Sequence, residues 1–249
     1  MPFELVLILL VLAAFLAGYM DAIAGGGGMI TIPALLIAGV DPLTAIGTNK
    51  VQGLFGTASS SLAFVRGGHV PLGPLLPTMG IAFAGAVAGA LFAQVIPTGW
   101  LADALPYLLI AVAIYFALKP AASDIDSARR IPPIAFALGF VPVIGAYDGL
   151  FGPGAGSFYM IALVGLCGYG LLKATAHTKL LNLSSNLGGF AVFALSGSVH
   201  WTFGLAMGCA AFAGAQLGAR SAMAFGAKLI KPLLVTVSIA LAIRLLWTA

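Results

Sequence analysis

Two lysines stand inside strongly apolar stretches of this sequence, and each belongs to a short polar run. Lys50 lies in "TAIGTNKVQGLFG", beside Thr48, Asn49 and Gln52. An ammonium group inside a membrane segment costs at least about 2.5–3.5 kcal/mol, so it marks a function or an ion pair. The alternative is a lysine that extends to the membrane interface. We expect Lys50 to provide the counter-charge of a bound anion.

The second lysine has similar polar neighbours. Lys179 lies in "LKATAHTKLLNLSSN", after His177 and Thr178 and before Asn182 and Asn186. Because residues three and four apart share a helix face, the lysine and both asparagines form one polar stripe. Such a stripe indicates a cavity. The histidine is a candidate for proton coupling, with a hydrogen-bonded packing role as the alternative.

Two glycine clusters, "AGGGGM" and "FGPGAGS", each precede a short apolar segment. The free N–H groups and positive dipole end at a helix start favour an anion, and glycine lets a ligand approach the backbone. The alternative role of these glycines is close helix packing. The residues that we expect to bind a substrate are Gly25, Gly26, Gly27, Gly28, Thr48, Asn49, Lys50, Gln52, Gly152, Gly154, Gly156, His177, Thr178, Lys179, Asn182 and Asn186.

One acidic residue comes just before each glycine cluster, Asp21 in the first case and Asp148 in the second. A carboxylate that pairs with one of the lysines neutralises both groups, which is the most economical arrangement in a membrane. The alternatives are a structural role and a role in carrying protons. We therefore expect ion pairing or proton coupling from Asp21, Asp148 and His177.

The composition identifies the class of protein. The 249 residues have a mean hydropathy of +1.11 and only 7% charged residues, against about 25% in soluble domains. This is a polytopic, all-α membrane protein. The net charge of +4 marks cytoplasmic loops and not a nucleic-acid partner. Because no P-loop or metal-ligand cluster is evident, we expect no enzymatic activity, catalytic residue, cofactor or metal.

Ten apolar segments follow one another along the chain. Two of them are too short to span a bilayer and follow the glycine clusters, so we expect half-helices or re-entrant segments there. The segments are 3–20, 29–40, 44–65, 72–96, 100–118, 131–147, 157–169, 171–195, 199–224 and 229–247.

The two halves of the chain resemble each other. The alignment that pairs Lys50 with Lys179 also pairs "LTAIGTNK" with "LKATAHTK", and in the same register it matches Gly85 with Gly214. Asp21 and Asp148 also match when the sequence separation between the aligned halves is made slightly shorter. An internal duplication of this kind is common in secondary transporters. It divides the chain into a first repeat, a linker and a second repeat at residues 1–118, 119–130 and 131–249.

The distribution of charge favours an inverted orientation of the two repeats. If each repeat has five segments that cross fully or as half-spans, the basic loop residues gather on the face that carries the linker. The positive-inside rule then places the linker in the cytoplasm and both termini outside it.

The glycine clusters and lysine motifs together resemble the sulfite exporter TauE/SafE family. The motifs are "GGGGM…GTNK" in the first half and "GPGAGSF…AHTK…SN" in the second, so the resemblance covers essentially the whole chain. It implies a multi-pass transporter of the bacterial inner membrane for sulfite or an organosulfonate such as sulfoacetate. This sequence departs from an exact repeat where Pro153 matches Gly26 and His177 matches Thr48, which makes the site asymmetric.

We therefore expect a secondary transporter that exports a small sulfur-containing anion, driven by protons or by the membrane potential. Its partners would be the anion and the lipid bilayer, without nucleic acid, and the sequence allows a homodimer. The alternatives are an anion channel, a carrier of another small organic anion, a cation or metal carrier that uses Asp21 and Asp148, and a membrane scaffold without transport.

Overall fold

The computed structural model describes residues 2–97, 99–100, 107, 124–226 and 228–229. These residues contain helices and, within the described ranges, no strand. The helices are α1 (Phe3–Ala24), α2 (Gly28–Ile37), α3 (Pro42–Arg66), α4 (Leu72–Val95), α5 (Pro133–Leu150, with a π-helical turn at Phe136–Phe140), α6 (Ala155–Cys167), α7 (Leu171–Leu195) and α8 (Trp201–Phe225).

The helices agree with eight of the ten predicted segments to within a few residues. The other two, 100–118 and 229–247, lie almost entirely outside the described residues. Helices α1, α4, α5 and α8 are long and apolar enough to cross a membrane. The predicted all-α membrane class is therefore confirmed. Helices α3 and α7 have 25 residues each, but their polar side chains are mostly buried inside the protein.

Local sequence explains where several helices begin and end. Asp41 accepts a hydrogen bond from Thr44 N at 3.0 Å, and Pro42 occupies the first position of α3. Helix α6 starts after Gly154 and stops at Gly168, which have φ angles of 80° and 72°. These left-handed conformations suit glycine because it has no Cβ.

Helices α3 and α7 pack against each other at the centre of the protein. Around them, α1 packs on α8 and α5 packs on α4, so the first helix of each half lies against the last described helix of the other half. A Cβ on Gly218 would lie 2.2 Å from Tyr19 O, and a Cβ on Gly89 would lie 1.9 Å from Ala146 O. Only glycine permits these two close approaches, because any Cβ would overlap the carbonyl oxygen.

One end of the helix bundle, which we call the linker face, carries the described linker residues 124–130. Ser127 N donates to Gly168 O at 2.7 Å just after α6, and a Cβ on Gly226 after α8 would lie 2.4 Å from Asp124 Oδ2. Helix α7 begins there too, because Lys173 forms a salt bridge with Asp126 at 2.6 Å. The linker face therefore holds the ends of α6 and α8 and the start of α7.

The opposite end holds the starts of α1, α3 and α8. The rings of Phe3 and Phe203 stack with their centroids 5.6 Å apart. A Cβ on Gly47 near the start of α3 would lie 1.9 Å from Ser198 O, just before α8. Helix α2 packs on α1 and places Ile37 near the start of that helix. Helices α3 and α7 therefore run in opposite directions through the centre.

Candidate functional site

Each lysine of the polar runs forms a salt bridge with the aspartate of the other half. Lys50 Nζ lies 2.7 Å from Asp148 Oδ1, and Lys179 Nζ lies 3.2 Å from Asp21 Oδ2. Each ammonium group also donates to the backbone carbonyl of the aspartate with which it pairs. Both lysine side chains are at most 1% exposed. Within each pair the lysine and the aspartate neutralise each other. The pairs connect α3 to α5 and α7 to α1.

The two aspartates differ in their remaining contacts. The second carboxylate oxygen of Asp148 accepts from the Ser185 hydroxyl, and its side chain is only 4% exposed. Asp21 Oδ1 instead accepts from the N–H group of Gly27, the residue just before α2, at 3.1 Å, and the Asp21 side chain is 21% exposed. The Asp21 pair is therefore the longer and the more accessible of the two.

The glycine clusters meet each other where α2 and α6 begin. A Cβ on Gly25 would lie 2.7 Å from Ser157 N, and a Cβ on Gly28 would lie 3.4 Å from Pro153 Cα. The Ser157 hydroxyl donates to Ala24 O at 2.8 Å and fastens the two turns together. The absence of side chains is what lets the two backbones approach so closely.

A polar cavity of about 40 Å³ lies between the two glycine turns and the central helices α3 and α7. Its lining comes from both halves of the chain. It consists of Gly18, Asp21, Gly26, Gly27, Gly28, Asn49, Gln52, Gly53, Gly56, Thr57, Asp148, Gly152, Gly154, Ala155, Gly156, Asn182 and Asn186.

Four glycines that line this cavity, two from each turn, have backbone N–H groups without a protein partner in the described part of the chain. Within the described residues, the amide nitrogens of Gly26, Gly28, Gly154 and Gly156 make no hydrogen bond. A buried N–H group of this kind is costly unless water or a ligand accepts its hydrogen bond. The first residues of α2 and α6, Gly28 and Ala155, also line this space, so the N-terminal ends of two helix dipoles lie beside the cavity.

Two asparagine amides add donors on the side of the central helices. Asn49 Oδ1 accepts from Thr31 at 2.6 Å, which orients its amide nitrogen towards Gly28. Asn182 is 4% exposed, and its amide nitrogen lies 2.4 Å from the position that a Cβ on Gly156 would occupy. Its Oδ1 atom has no partner among the described residues. Both side chains border the cavity with hydrogen-bonding capacity that the protein leaves free.

The structure places most of the sequence-predicted site residues around this cavity. Those that line it are Asp21, Gly26, Gly27, Gly28, Asn49, Gln52, Asp148, Gly152, Gly154, Gly156, Asn182 and Asn186. Lys50 and Lys179 lie behind the aspartates, and Gly25 lies in the contact between the two turns.

Three predicted residues lie elsewhere. Thr48 accepts a hydrogen bond from His200 N at 2.9 Å near the end of the bundle opposite the linker face. Thr178 is buried and its hydroxyl has no partner within the described residues. His177 borders a different cavity at the linker face, and its Nδ1 donates to Lys173 O at 2.8 Å. The central cavity therefore does not include the histidine.

Sequence reasoning missed several lining residues, mainly Gly53, Gly56 and Thr57 on α3. The repeat itself contained the signal, because the alignment that pairs the two lysines also pairs Gly53 with Asn182 and Thr57 with Asn186. Small residues on α3 thus face the longer amides on α7. A Cβ on Gly53 would lie 2.9 Å from Asn186 Oδ1, so this glycine provides the room that the amide occupies.

Comparison with known proteins groups the chain with membrane transporters. The model of the family described as "Sulfite exporter TauE/SafE" matches residues 10–245. A "Probable membrane transporter protein ORF9" of Sinorhizobium sp. is 60% identical over 95% of this chain and 91% of its own length. The "Probable membrane transporter protein YfcA" of Escherichia coli K12 is 44% identical over 98% of this chain and 90% of its own length.

A "Probable membrane transporter protein" of Haemophilus influenzae is 41% identical over 97% of this chain and 94% of its own length. No solved structure matches the chain with statistical significance. The family model spans nearly all of the chain, and these relatives also match it almost from end to end. This multi-pass membrane protein therefore belongs to the sulfite exporter TauE/SafE family of membrane transporters.

Proposed function

We propose that the protein is a secondary transporter that exports a small sulfur-containing anion, such as sulfite or an organosulfonate, through the central cavity. The observation that carries the proposal is that Gly26, Gly28, Gly154 and Gly156, whose N–H groups have no partner among the described residues, line one cavity at the starts of two helices. Backbone N–H groups of this kind can bind an oxyanion directly, so the groups in contact with the ligand need not carry a full positive charge.

The charges around the cavity favour an anion over a cation. Asp21 and Asp148 border the cavity, and on their own they would attract a cation. Each carboxylate, however, is already neutralised by a buried lysine at 2.7 or 3.2 Å. With these four charges in balance, the helix N-termini and the amide groups determine the sign of the ligand.

The size of the cavity favours the smaller candidates. A buried water needs about 10–15 Å³ of such space, so a cavity of about 40 Å³ holds about three waters. Sulfite has four heavy atoms and matches this space, whereas an organosulfonate would need the cavity to widen. Sulfite is therefore the preferred ligand for the central cavity in this conformation.

We further propose that residues 1–118 and 131–249 are inverted repeats that alternate access to the cavity. The support is the exchange of partners between the halves: Lys50 pairs with Asp148 as Lys179 pairs with Asp21, and α1 packs on α8 as α5 packs on α4. The opposite directions of α3 and α7 also support inversion. Such repeats change access by rocking one half against the other around a fixed site.

The basic residues of the linker support a cytoplasmic location for the linker face. Export would then carry the anion away from the linker face, in the direction that an inside-negative potential favours. The short helices α2 and α6 would act as half-helices whose N-termini meet at the substrate, since non-helical backbone within a membrane is tolerated where it lines a cavity.

A thermal-shift screen of the purified protein tests whether its ligand is an anion or a cation. A ligand that binds only the native protein stabilises it by about 2.7 kcal/mol at one hundred times its dissociation constant. We expect sulfite to raise the melting temperature, and we expect no effect from Na⁺, K⁺ or Mg²⁺ at matched ionic strength. Stabilisation by a cation and none by any anion would favour the cation carrier and reject the proposal.

A further inference from the structure

A second cavity, of about 210 Å³, lies at the linker face. It sits between the starts of α4 and α5, the end of α6 and the start of α7, and it shares no lining residue with the central cavity. Most of its wall is apolar, and a few polar groups converge on it. The residues that matter below are Leu75, Phe136 and Leu163 on the apolar side and Thr78, Arg129 and His177 on the polar side.

Arg129 is held at this cavity by the backbone on both sides of it. Ser127 N donates to Gly168 O at 2.7 Å, and Arg130 N donates to Leu166 O at 2.9 Å. This part of the linker is thereby fixed to the end of α6. Within the described residues, the guanidinium group of Arg129 forms no salt bridge and no hydrogen bond. The linker thus places an unpaired positive charge beside an apolar cavity.

His177 and Thr78 bring further free polar atoms to the same space. The His177 Nδ1 atom donates to Lys173 O at 2.8 Å, and the imidazole ring packs on Tyr169 with 4.8 Å between centroids. Those contacts fix the ring and leave Nε2 without a protein partner in the described ranges. The Thr78 hydroxyl likewise has none there. Two polar groups with free hydrogen-bonding atoms therefore accompany Arg129.

Comparison with the other half explains why this space stays open. Thr48, which aligns with His177, accepts a hydrogen bond from His200 N at 2.9 Å, and that bond holds the chain before α8 against α3. In the same alignment of the two halves, His200 corresponds to Pro71. Proline has no N–H group to donate, so the equivalent bond cannot form. Pro71 lines the cavity instead.

We propose that this cavity is a second binding site, for an organic anion that carries a short apolar group. The acidic head would pair with Arg129, since a guanidinium group binds sulfonate or carboxylate oxygens through two parallel hydrogen bonds. The apolar part would lie on Leu75, Phe136 and Leu163. Pockets with apolar walls and a few fixed polar groups are the usual sites for such ligands. The site does not depend on what the central cavity carries.

Calorimetric titration of the full protein in detergent with methanesulfonate, butanesulfonate and hexanesulfonate tests this site. The longer ligands exceed the central cavity in this conformation, and the dependence of their binding on Arg129 and Phe136, which line only the second cavity, assigns the binding to that cavity. We expect affinity to rise with chain length, by up to about fourfold for each methylene group that is buried. We expect Arg129→Gln to weaken butanesulfonate binding at least about tenfold, since it removes a charged hydrogen-bond partner.

Arg130→Gln is the matched control, because Arg130 is exposed, as Arg129 is, but does not line the cavity. It should bind butanesulfonate as the unmodified protein does. Phe136→Ala should weaken butanesulfonate binding more than methanesulfonate binding. Absence of butanesulfonate binding, or equal binding in the Arg129→Gln and Arg130→Gln variants, would overturn the proposal. Sulfite stabilisation, measured in parallel, reports on the central cavity and decides the proposed function separately.

Discussion

Lys50 on α3 and Asp148 on α5 form a buried salt bridge of 2.7 Å across 98 residues of sequence, and neither side chain is more than 4% exposed. The carboxylate also accepts from Ser185 on α7, so three helices meet at one charged group. A buried ion pair gives little net stability relative to an apolar pair, but removing one partner leaves the other charge uncompensated.

Lys50→Met should therefore destabilise the protein by about 3–5 kcal/mol, because Asp148 would remain buried without its counter-charge. The double variant with Asp148→Leu should recover much of that loss, since both charges are then gone. Denaturation in detergent, followed by circular dichroism, measures the two differences. A single variant as stable as the unmodified protein would contradict the buried pair.

Lys179→Met should cost less than Lys50→Met. The Lys179–Asp21 pair is longer at 3.2 Å, and the Asp21 side chain is 21% exposed, so water can solvate the abandoned carboxylate. The same denaturation experiment ranks the two lysine variants. Equal losses, or a greater loss for Lys179→Met, would show that the difference in exposure does not control the energetics.

Gly156→Ala should prevent anion binding in the central cavity. The new Cβ would lie 2.4 Å from Asn182 Nδ2, so the amide must move out of its place at the cavity wall. Gly165→Ala, on the same helix, is the control, because its Cβ would meet nothing within 4 Å. The thermal shift produced by sulfite should vanish in the first variant and persist in the second. Retention of the full shift in Gly156→Ala would remove Asn182 from the site.

Acidification should loosen the contact between the linker and α7. The hydrogen bond from Lys173, and then the N–H group of Gly170, hold the pKa of Asp126 below its ordinary value. A carboxyl group whose pKa is lower in the folded than in the unfolded protein stabilises the folded state. This contribution is complete above the unfolded-state pKa of about 3.9 and is lost as the pH falls through the folded-state pKa.

Asp126→Asn removes this titration. We expect the unmodified protein to melt at a higher temperature than Asp126→Asn at pH 6, and we expect the difference to shrink at pH 3. Melting curves of both proteins at the two pH values provide the measurement. A difference that is the same at pH 6 and pH 3 would mean that the Asp126 carboxylate does not contribute through its charge.

The sequence predicted the described helices well because their apolar runs and glycine punctuation are local signals. Helix α6, for example, begins within the second glycine cluster, at Ala155. It also predicted most of the residues that line the central cavity. It could not show which aspartate pairs with which lysine, because Lys50 and Asp148 are brought together only by the packing of α3 on the helices of the other half.

The position of His177 shows the same limit. Its place in the motif beside Lys179 suggested the central site, but successive residues on a helix point in different directions. Asn182 therefore lines the central cavity, whereas His177 lines the second cavity at the linker face. The absence of an N–H group at Pro71, which leaves room there, becomes meaningful only when the packing of both halves is compared.

Counterflow of labelled sulfite in proteoliposomes tests the central claim most directly, namely that an anion binds between the two glycine turns and is carried. The unmodified protein and Gly165→Ala should accumulate label against an internal pool of unlabelled sulfite, with saturation. Asn182→Leu should abolish this uptake while its melting temperature shows a folded protein. Uptake that does not saturate, or that is unchanged in Asn182→Leu, would contradict the account.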